Sequence, residues 1–198
     1  MTARLYSELK TLIYDENHRE RQCRAFLKYT PNLLFKAGGT AITCDVEYRG
    51  HSGDSDYIVS GQGHESGIDC IRVYIWELKA PQCFVFKRDP SSHNRLSPSK
   101  DLIQAENQLL NYYDELRGSS DFRDTFKITH PSNVCIGGII IGCDRTKVEG
   151  EKAALYDKAF RCRELLYKCQ NIRLMLWNTV LEHLKPVDHQ VTGKMFEG

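Results

Sequence analysis

Residues 68–79 have the sequence IDCIRVYIWELK. Isoleucine, valine, tyrosine and tryptophan favour extended backbone, so this stretch predicts a β-strand, which ends before Pro81. Side chains two residues apart in a strand point to the same side of the sheet. Glu77 and Lys79 therefore share a face, on which the three preceding residues are branched and aliphatic. A carboxylate and an ammonium group at the end of such a face are costly to bury unless they pair or bind a ligand.

The simplest interpretation of this charged pair is a strand end that reaches solvent and forms a weak ion pair. A second predicted strand, with the sequence DYIVS at residues 56–60, offers an alternative. A glycine-containing loop over residues 61–67 would join the two strands as an antiparallel hairpin. The hairpin can bring Asp56 beside Glu77, but this register places the midpoint of the turn between residues 66 and 67. It therefore requires a longer loop or a bulge.

Two carboxylates that converge beside a backbone carbonyl form an all-oxygen site, which suits Mg²⁺ or Mn²⁺. Such a metal ion polarises a phosphate group and lowers the pKa of a bound water. Lys79 would then supply a cation that orients the water or neutralises the charge that develops on the phosphate. The combination of Asp56, Glu77 and Lys79 thus predicts a site for phosphodiester hydrolysis.

A helix predicted over residues 102–117 adds two candidate residues. Gln108 and Tyr112 are four residues apart and so lie on one helical face, which could pack toward the strand site. Gln108 would act there as a hydrogen-bonding positioner. The alternatives are an exposed helix glutamine and a core tyrosine with its hydroxyl at the rim. Taken together with the strand pair, the two residues favour a functional interpretation. Ser99 or Asp101 is expected to cap this helix.

The remaining elements follow from apolar periodicity and chain breakers. The sequence predicts helices over residues 3–14, 16–29, 149–168 and 179–184, and strands over residues 41–48, 134–141 and 171–177. The strand at 134–141 is wholly apolar and is expected inside a sheet. A polar loop over residues 87–100 would offer basic side chains to phosphates. We expect a single domain over residues 1–198, with a helical part at about 3–35, a catalytic core at about 40–184 and a poorly ordered tail at 186–198.

The composition is ordinary for a soluble globular protein: 41% of the 198 residues are hydrophobic and 27% are charged. The chain contains no apolar run of about 20 residues and no secretory signal, so we expect a cytoplasmic protein with no membrane contact. The net charge of +1 does not exclude a polyanionic partner, because local clustering of charge decides that. The eight cysteines include no C-x-x-C pair and are expected to be free thiols, with structural zinc as the alternative.

These motifs resemble the PD-(D/E)xK nuclease superfamily, and within it the RecB-like branch. That branch has a Gly-x-x-Asp element, a strand with an acidic residue two positions before a lysine, and a Gln-x-x-x-Tyr helix. The residues that match are Asp56, Glu77, Lys79, Gln108 and Tyr112. The first element has the sequence GDSD at residues 53–56, with serine where the superfamily motif has proline. Asp54 is consequently a rival to Asp56 as the metal ligand.

The chain also resembles the nuclease domain of Shedu antiphage-defence proteins. This similarity lies in residues 21–34, in the sequence ELKAP at residues 77–81 and in the glycine-containing strand up to residue 142. The order of the last helix and strand is similar as well. The resemblance spans roughly residues 16–184.

The resemblance implies a restriction-endonuclease-like α/β core, in which helices flank a mixed central β-sheet. It implies that Asp56 and Glu77 bind Mg²⁺, with Mn²⁺ as a substitute, and that Lys79 lies near the scissile phosphate. Some members of the superfamily add a carboxylate from an N-terminal helix, and Glu20 is the candidate here. A solvated helix face explains Glu20 equally well.

The function implied is a Mg²⁺-dependent endonuclease that hydrolyses DNA in antiphage defence. Because cleavage of both strands generally needs two active sites, a homo-oligomer is expected. One alternative is a catalytically silent module that binds nucleic acid or a protein partner. Another is a metal-free structural subunit, which would need Glu77 and Lys79 to be exposed and mutually paired.

Overall fold

The computed structural model describes residues 2–35, 40–44, 48–50, 53–55, 57–65, 68–148 and 153–186. Its helices are α1 (Thr2–Ile13), α2 (Glu20–Arg24), α3 (Pro31–Leu34), α4 (Lys100–Gly118), α5 (Ser120–Thr125), α6 (Ala153–Lys168) and α7 (Trp177–His183). Its strands are β1 (Thr40–Cys44), β2 (Tyr48–Gly50), β3 (Gly53–Ser55), β4 (Tyr57–Glu65), β5 (Ile68–Leu78), β6 (Phe86–Arg88), β7 (Leu96–Pro98), β8 (Val134–Ile140) and β9 (Arg173–Met175). Asp56 and nearly all of the expected tail lie outside the described residues.

Five strands form one mixed sheet in the order β1-β4-β5-β8-β9. Strands β1, β4 and β5 pair antiparallel, whereas β8 runs parallel to β5 and β9 runs parallel to β8. The short ribbons β2–β3 and β6–β7 lie outside this sheet. A mixed central sheet flanked by helices is therefore confirmed, and the apolar strand β8 lies inside the sheet as its sequence predicts.

Successive residues of β5 enter two different hydrophobic clusters, one on each face of the sheet. Val73 and Ile75 belong to the cluster that includes residues of α4 and α6. Tyr74 and Trp76 belong to the cluster that includes residues of α1 and α7. This period of two is what a strand covered on both faces requires. Glu77 follows in the same alternation, on the face covered by α4.

The pairing of β4 with β5 resolves the register of the hairpin. Tyr57 is the partner of Trp76, Glu65 is the partner of Ile68, and the ladder between these pairs contains no bulge. The loop predicted over residues 61–67 is therefore wrong at residues 61–65, which belong to β4. The strand continues through its glycines because every residue there has a partner in the long β5, whose composition favours extended backbone.

The helix predicted over residues 16–29 is wrong. The chain instead forms the short helix α2, a 3₁₀ turn at Leu27–Tyr29 and the helix α3. The preceding helical run does end before Pro31, with Thr30 between the 3₁₀ turn and α3, and Pro31 begins the new helix. Proline has no backbone N–H and a fixed φ, and both properties suit the first turn of a helix.

The segment predicted as a polar loop over residues 87–100 contains most of the β6–β7 hairpin, in which Phe86 pairs with Pro98 and Arg88 pairs with Leu96. The predicted helix that follows is confirmed as α4. Ser99 is its N-cap, and its hydroxyl oxygen accepts a hydrogen bond from Leu102 N at 3.0 Å. Asp101 lies in the first turn, where a negative charge also stabilises the helix.

Two glycines of β8 allow the indole of Trp76 to lie flat against the strand. A Cβ atom at Gly137 would overlap the indole, with Cδ1 only 2.7 Å away. Gly138 has φ +155°, and a Cβ atom there would lie 2.8 Å from Trp76 Cζ3. The guanidinium of Arg173 lies over the indole, 4.5 Å from the ring centroid. These two glycines therefore permit close packing inside the sheet.

Two further expectations concern cysteines and membranes. The cysteines whose side chains the structure describes are free thiols, as predicted. Within the described ranges, no helix is both long enough and apolar enough to cross a membrane.

Candidate active site

Glu77 is the penultimate residue of β5, and its side chain lies inside the protein. The residue is 0% exposed, and its partner in the parallel strand is Ile139, which is also 0% exposed. The interpretation of this strand end as a surface ion pair is therefore wrong for the carboxylate. A buried carboxylate needs charged or hydrogen-bonding partners, because desolvation otherwise disfavours its ionised form.

Lys79 links this carboxylate to helix α4. Its Nζ donates to Glu77 Oε1 at 2.7 Å and to Gln108 Oε1 at 2.7 Å. The side chain of Lys79 is 15% exposed and that of Glu77 is 1% exposed. The three residues thus form a hydrogen-bonded chain with the cation of Lys79 at its centre, at the edge of the buried region.

The backbone N–H and carbonyl of Lys79 are hydrogen-bonded as well. Its N–H donates to Ile140 O at 2.9 Å, and its carbonyl accepts from Trp177 Nε1 at 2.7 Å. Trp177 begins helix α7 and is fully buried. Its role was not predicted, because a tryptophan about 100 positions away from Lys79 carries no sequence signal for such a contact.

Gln108 and Tyr112 lie on the covered face of α4, as predicted. Gln108 is partly buried and contacts Lys79, so the alternative of an exposed helix glutamine is wrong. Tyr112 is 9% exposed and belongs to the hydrophobic cluster that contains Val73 and Ile75. The structure therefore brings Gln108 to the charged pair and places the ring of Tyr112 in the core.

The structure describes the backbone of one candidate aspartate and nothing of the other. The backbone of Asp54 lies in β3, where it pairs with Arg49, and its side chain is outside the described part of the molecule. Asp56 lies outside the described residues altogether. It directly precedes Tyr57 in the sequence, while Glu77 directly follows Trp76, and Tyr57 and Trp76 are partners in the antiparallel ladder.

Glu20 is the first residue of α2 and is half-buried, so it is not on a fully solvated helix face. The electrostatics of Cys83 locate it more closely. The pKa of this buried thiol is raised to about 12, first by burial and then by the negative charges of Asp101 and Glu20, while Lys79 lowers it. Glu20 and Lys79 therefore both lie near Cys83, which follows the end of β5.

Gln82 connects the N-terminal helices to the end of β5. Its Nε2 donates to the carbonyls of Leu12 at 3.0 Å, Ile13 at 3.3 Å and Asp15 at 3.0 Å. Its Oε1 accepts from the backbone N–H of Arg19 at 3.1 Å. One amide side chain thereby satisfies the last carbonyls of α1 and the backbone just before Glu20.

Gln82→Ala is expected to lower the free energy of unfolding by about 2 to 3 kcal/mol, because partly buried backbone groups lose their partners. Chemical denaturation at pH 7 measures this change. Gln104→Ala is the matched control, since Gln104 is an exposed glutamine of α4, and we expect a change within about 0.5 kcal/mol. Equal effects of the two substitutions would contradict the role assigned to Gln82.

The donor set suits a hard divalent cation only in part. Glu77 offers carboxylate oxygens, which Mg²⁺ and Mn²⁺ prefer. Among the residues that the structure describes, no group of three or more His, Cys, Asp and Glu side chains is arranged to hold a metal ion. Any metal site at Glu77 therefore needs a further ligand. Asp56 is the acidic residue that directly precedes Tyr57, the first residue of β4.

No protein-family model matches this chain, and no curated protein matches it significantly.

Proposed function

We propose that this protein is a Mg²⁺-dependent endonuclease that hydrolyses DNA phosphodiester bonds, on a restriction-endonuclease-like core. The proposal rests on one observation above all: a buried glutamate, a lysine two residues later and a glutamine from the next long helix form one hydrogen-bonded chain. A role in antiphage defence and a homo-oligomeric state belong to the same proposal, and their support is the resemblance to Shedu nuclease domains.

The energetics of the Glu77–Lys79 pair favour a functional role over a structural one. Removing two charges from water costs several kcal/mol per ion, and their mutual attraction repays this cost incompletely. Apolar residues of similar volume would serve stability equally well at the end of a face made of Val73 and Ile75. A buried, hydrogen-bonded ion pair at this position is therefore most simply explained by the chemistry it provides.

The register of the hairpin supports Asp56 over Asp54 as the second carboxylate. Tyr57 pairs with Trp76, and one further pair in this antiparallel ladder would join Asp56 to Glu77. Asp54 belongs to β3, which pairs with β2 rather than with β5. We therefore propose Asp56 and Glu77 as the metal ligands, with Glu20 as an auxiliary carboxylate.

Each residue of the site would have its own role in the reaction. Bound Mg²⁺ would supply Lewis-acid activation of the phosphate and of an attacking water. Glu77 would hold the ion from the rigid centre of the sheet. Lys79 would present its positive charge to the phosphate, and Gln108 would fix the position of Nζ so that little reorganisation is needed during the reaction.

Cleavage of supercoiled plasmid and of linear DNA in the presence of Mg²⁺ tests this proposal. We expect the wild type to cleave, and Glu77→Ala and Lys79→Ala each to lower the rate at least about 100-fold. Gln104→Ala should retain the wild-type rate. Cleavage that survives both site substitutions would disprove the assignment.

A catalytically silent module that binds nucleic acid or a protein remains the second candidate, because Lys79 already neutralises Glu77 without a metal. Isothermal titration with Mn²⁺, with and without DNA, separates the two functions. The nuclease is expected to bind Mn²⁺ and to lose this binding in Glu77→Ala. A wild type that binds DNA but no Mn²⁺ would favour the silent module.

A further inference from the structure

Positive charge is concentrated in two adjoining segments of the chain. Residues 86–100 contain four basic side chains and one acidic side chain, and residues 144–148 contain two basic and one acidic. The whole chain has 27 basic and 26 acidic residues, so the remainder carries an excess of acidic groups. The guanidinium of Arg145 lies over the ring of Tyr14, which follows α1. We call the other five basic residues the basic hairpin surface: Lys87, Arg88, Arg95, Lys100 and Lys147.

The side chains of this surface face solvent. Four of the five residues are exposed and Lys147 is half-buried. Asp89, the acidic residue of the hairpin, accepts hydrogen bonds from Ser91 N at 2.8 Å and from Ser91 Oγ at 2.6 Å, and its Oδ2 lies 3.5 Å from Nε of Arg95. These bonds hold the pKa of Asp89 below its ordinary value. Asp89 therefore stabilises the turn at the tip of the hairpin. Lys87 and Arg88 of β6 are exposed to solvent.

The hairpin is fixed to the elements that carry the candidate active site. Val85 N donates to Thr146 O at 3.1 Å, and Ser99 N donates to Val85 O at 3.0 Å, just before α4. The hydroxyl of Thr146 donates to Pro81 O at 2.7 Å, just after β5. Both ends of the hairpin therefore keep a constant position relative to Lys79 and Gln108.

The distance from the candidate active site to the hairpin is limited by the chain. Seven peptide units separate Lys79 from Phe86, which allows at most about 25 Å between their Cα atoms. One helical turn of duplex DNA is about 34 Å long. A duplex with one phosphate at Lys79 thus has other phosphates within reach of the basic hairpin surface.

We propose that the basic hairpin surface binds the phosphate backbone of duplex DNA and holds it against the Glu77–Lys79 site. This inference rests on the proposed function and names the surface that the substrate contacts. Lysine and arginine side chains that neutralise phosphates release condensed counterions, so this binding weakens as the salt concentration rises. The contacts position the duplex without reading its sequence.

Fluorescence anisotropy of a labelled 30-base-pair duplex, in Ca²⁺ or EDTA so that cleavage does not interfere, tests the proposal across a series of salt concentrations. The variant is Lys87→Gln with Arg88→Gln. The matched control is Arg4→Gln with Lys10→Gln, two exposed basic residues of α1, which packs on the other face of the sheet. We expect the hairpin variant to bind about tenfold more weakly near 0.15 M salt, with a shallower salt slope by about 2.

The possible outcomes separate this inference from the proposed function. Weakened binding in the hairpin variant with unchanged binding in the control supports the inference, provided that both variants keep the wild-type melting temperature. Equal binding by all three proteins, with equal salt slopes, would overturn the inference and leave the nuclease proposal standing. A wild type without affinity for duplex DNA even at 20 mM salt would overturn both.

Discussion

Lys79→Met is expected to lower the free energy of unfolding by about 3 to 5 kcal/mol, because it leaves the carboxylate of Glu77 buried without its cation. Nζ of Lys79 lies 2.7 Å from Glu77 Oε1, and Glu77 is 0% exposed, so water cannot simply replace the ammonium group. The same substitution is expected to lower the proposed DNA cleavage at least about 100-fold. Urea denaturation measures the first effect and plasmid cleavage measures the second.

The double variant Lys79→Met with Glu77→Gln separates these two effects. Glutamine keeps the shape of glutamate and removes the buried charge, so the double variant should recover most of the lost stability. Its cleavage activity should stay as low as that of the single variant, because both charged groups are gone. A double variant as unstable as Lys79→Met would show that the loss comes from packing rather than from the uncompensated carboxylate.

Gly137→Ala is expected to be strongly destabilising. The new methyl group would overlap the Trp76 indole, which is 0% exposed and donates from Nε1 to Leu34 O at 3.2 Å. Movement of the buried indole would disturb this hydrogen bond and its contact with the guanidinium of Arg173, 4.5 Å from its centroid. Overpacking of this kind costs about 3 kcal/mol, which lowers the melting temperature of a domain this size by about 10 °C.

Gly118→Ala is the matched control for this substitution. A Cβ atom at Gly118, the last residue of α4, has no neighbour within 4 Å. Alanine there reduces the conformational entropy of the unfolded chain, so the melting temperature should stay unchanged or rise slightly. Scanning calorimetry on both variants provides the comparison, and a Gly137→Ala protein as stable as the wild type would contradict the close contact with Trp76.

The sequence predicts the central part of the fold well because its signals are local. The β-branched and aromatic residues of β5 and the wholly apolar β8 mark the middle of the sheet. The 3–4 spacing of apolar residues in α4 marks its buried face, and this spacing places Gln108 toward the sheet. The contact between Gln108 and Lys79 therefore follows from the two-residue period of the strand β5 and the 3.6-residue period of the helix α4.

The errors occur where tertiary contacts override local signals. Gly61 and Gly63 indicate a loop, yet pairing with β5 keeps them in β4. Pro31 is a different case, because the local properties of proline suit the start of a helix as well as the position after its end. The bonds of Gln82 to α1 and of Trp177 to Lys79 join parts of the chain that are far apart in sequence, and no single-sequence pattern encodes them. The site is predictable in its residue types but not in the residues that support it.

The hydrogen bond from Trp177 to the Lys79 carbonyl also bears on how the domain folds. The pairing of β4 with β5 is local and closes a short loop at little entropic cost, whereas the contact with Trp177 closes a loop of about one hundred residues. The backbone hydrogen bonds of Lys79 are therefore complete only when α7 has docked. A chain that has formed β5 without α7 holds Glu77 and Lys79 on the strand but lacks the hydrogen bond from Trp177 to the Lys79 carbonyl.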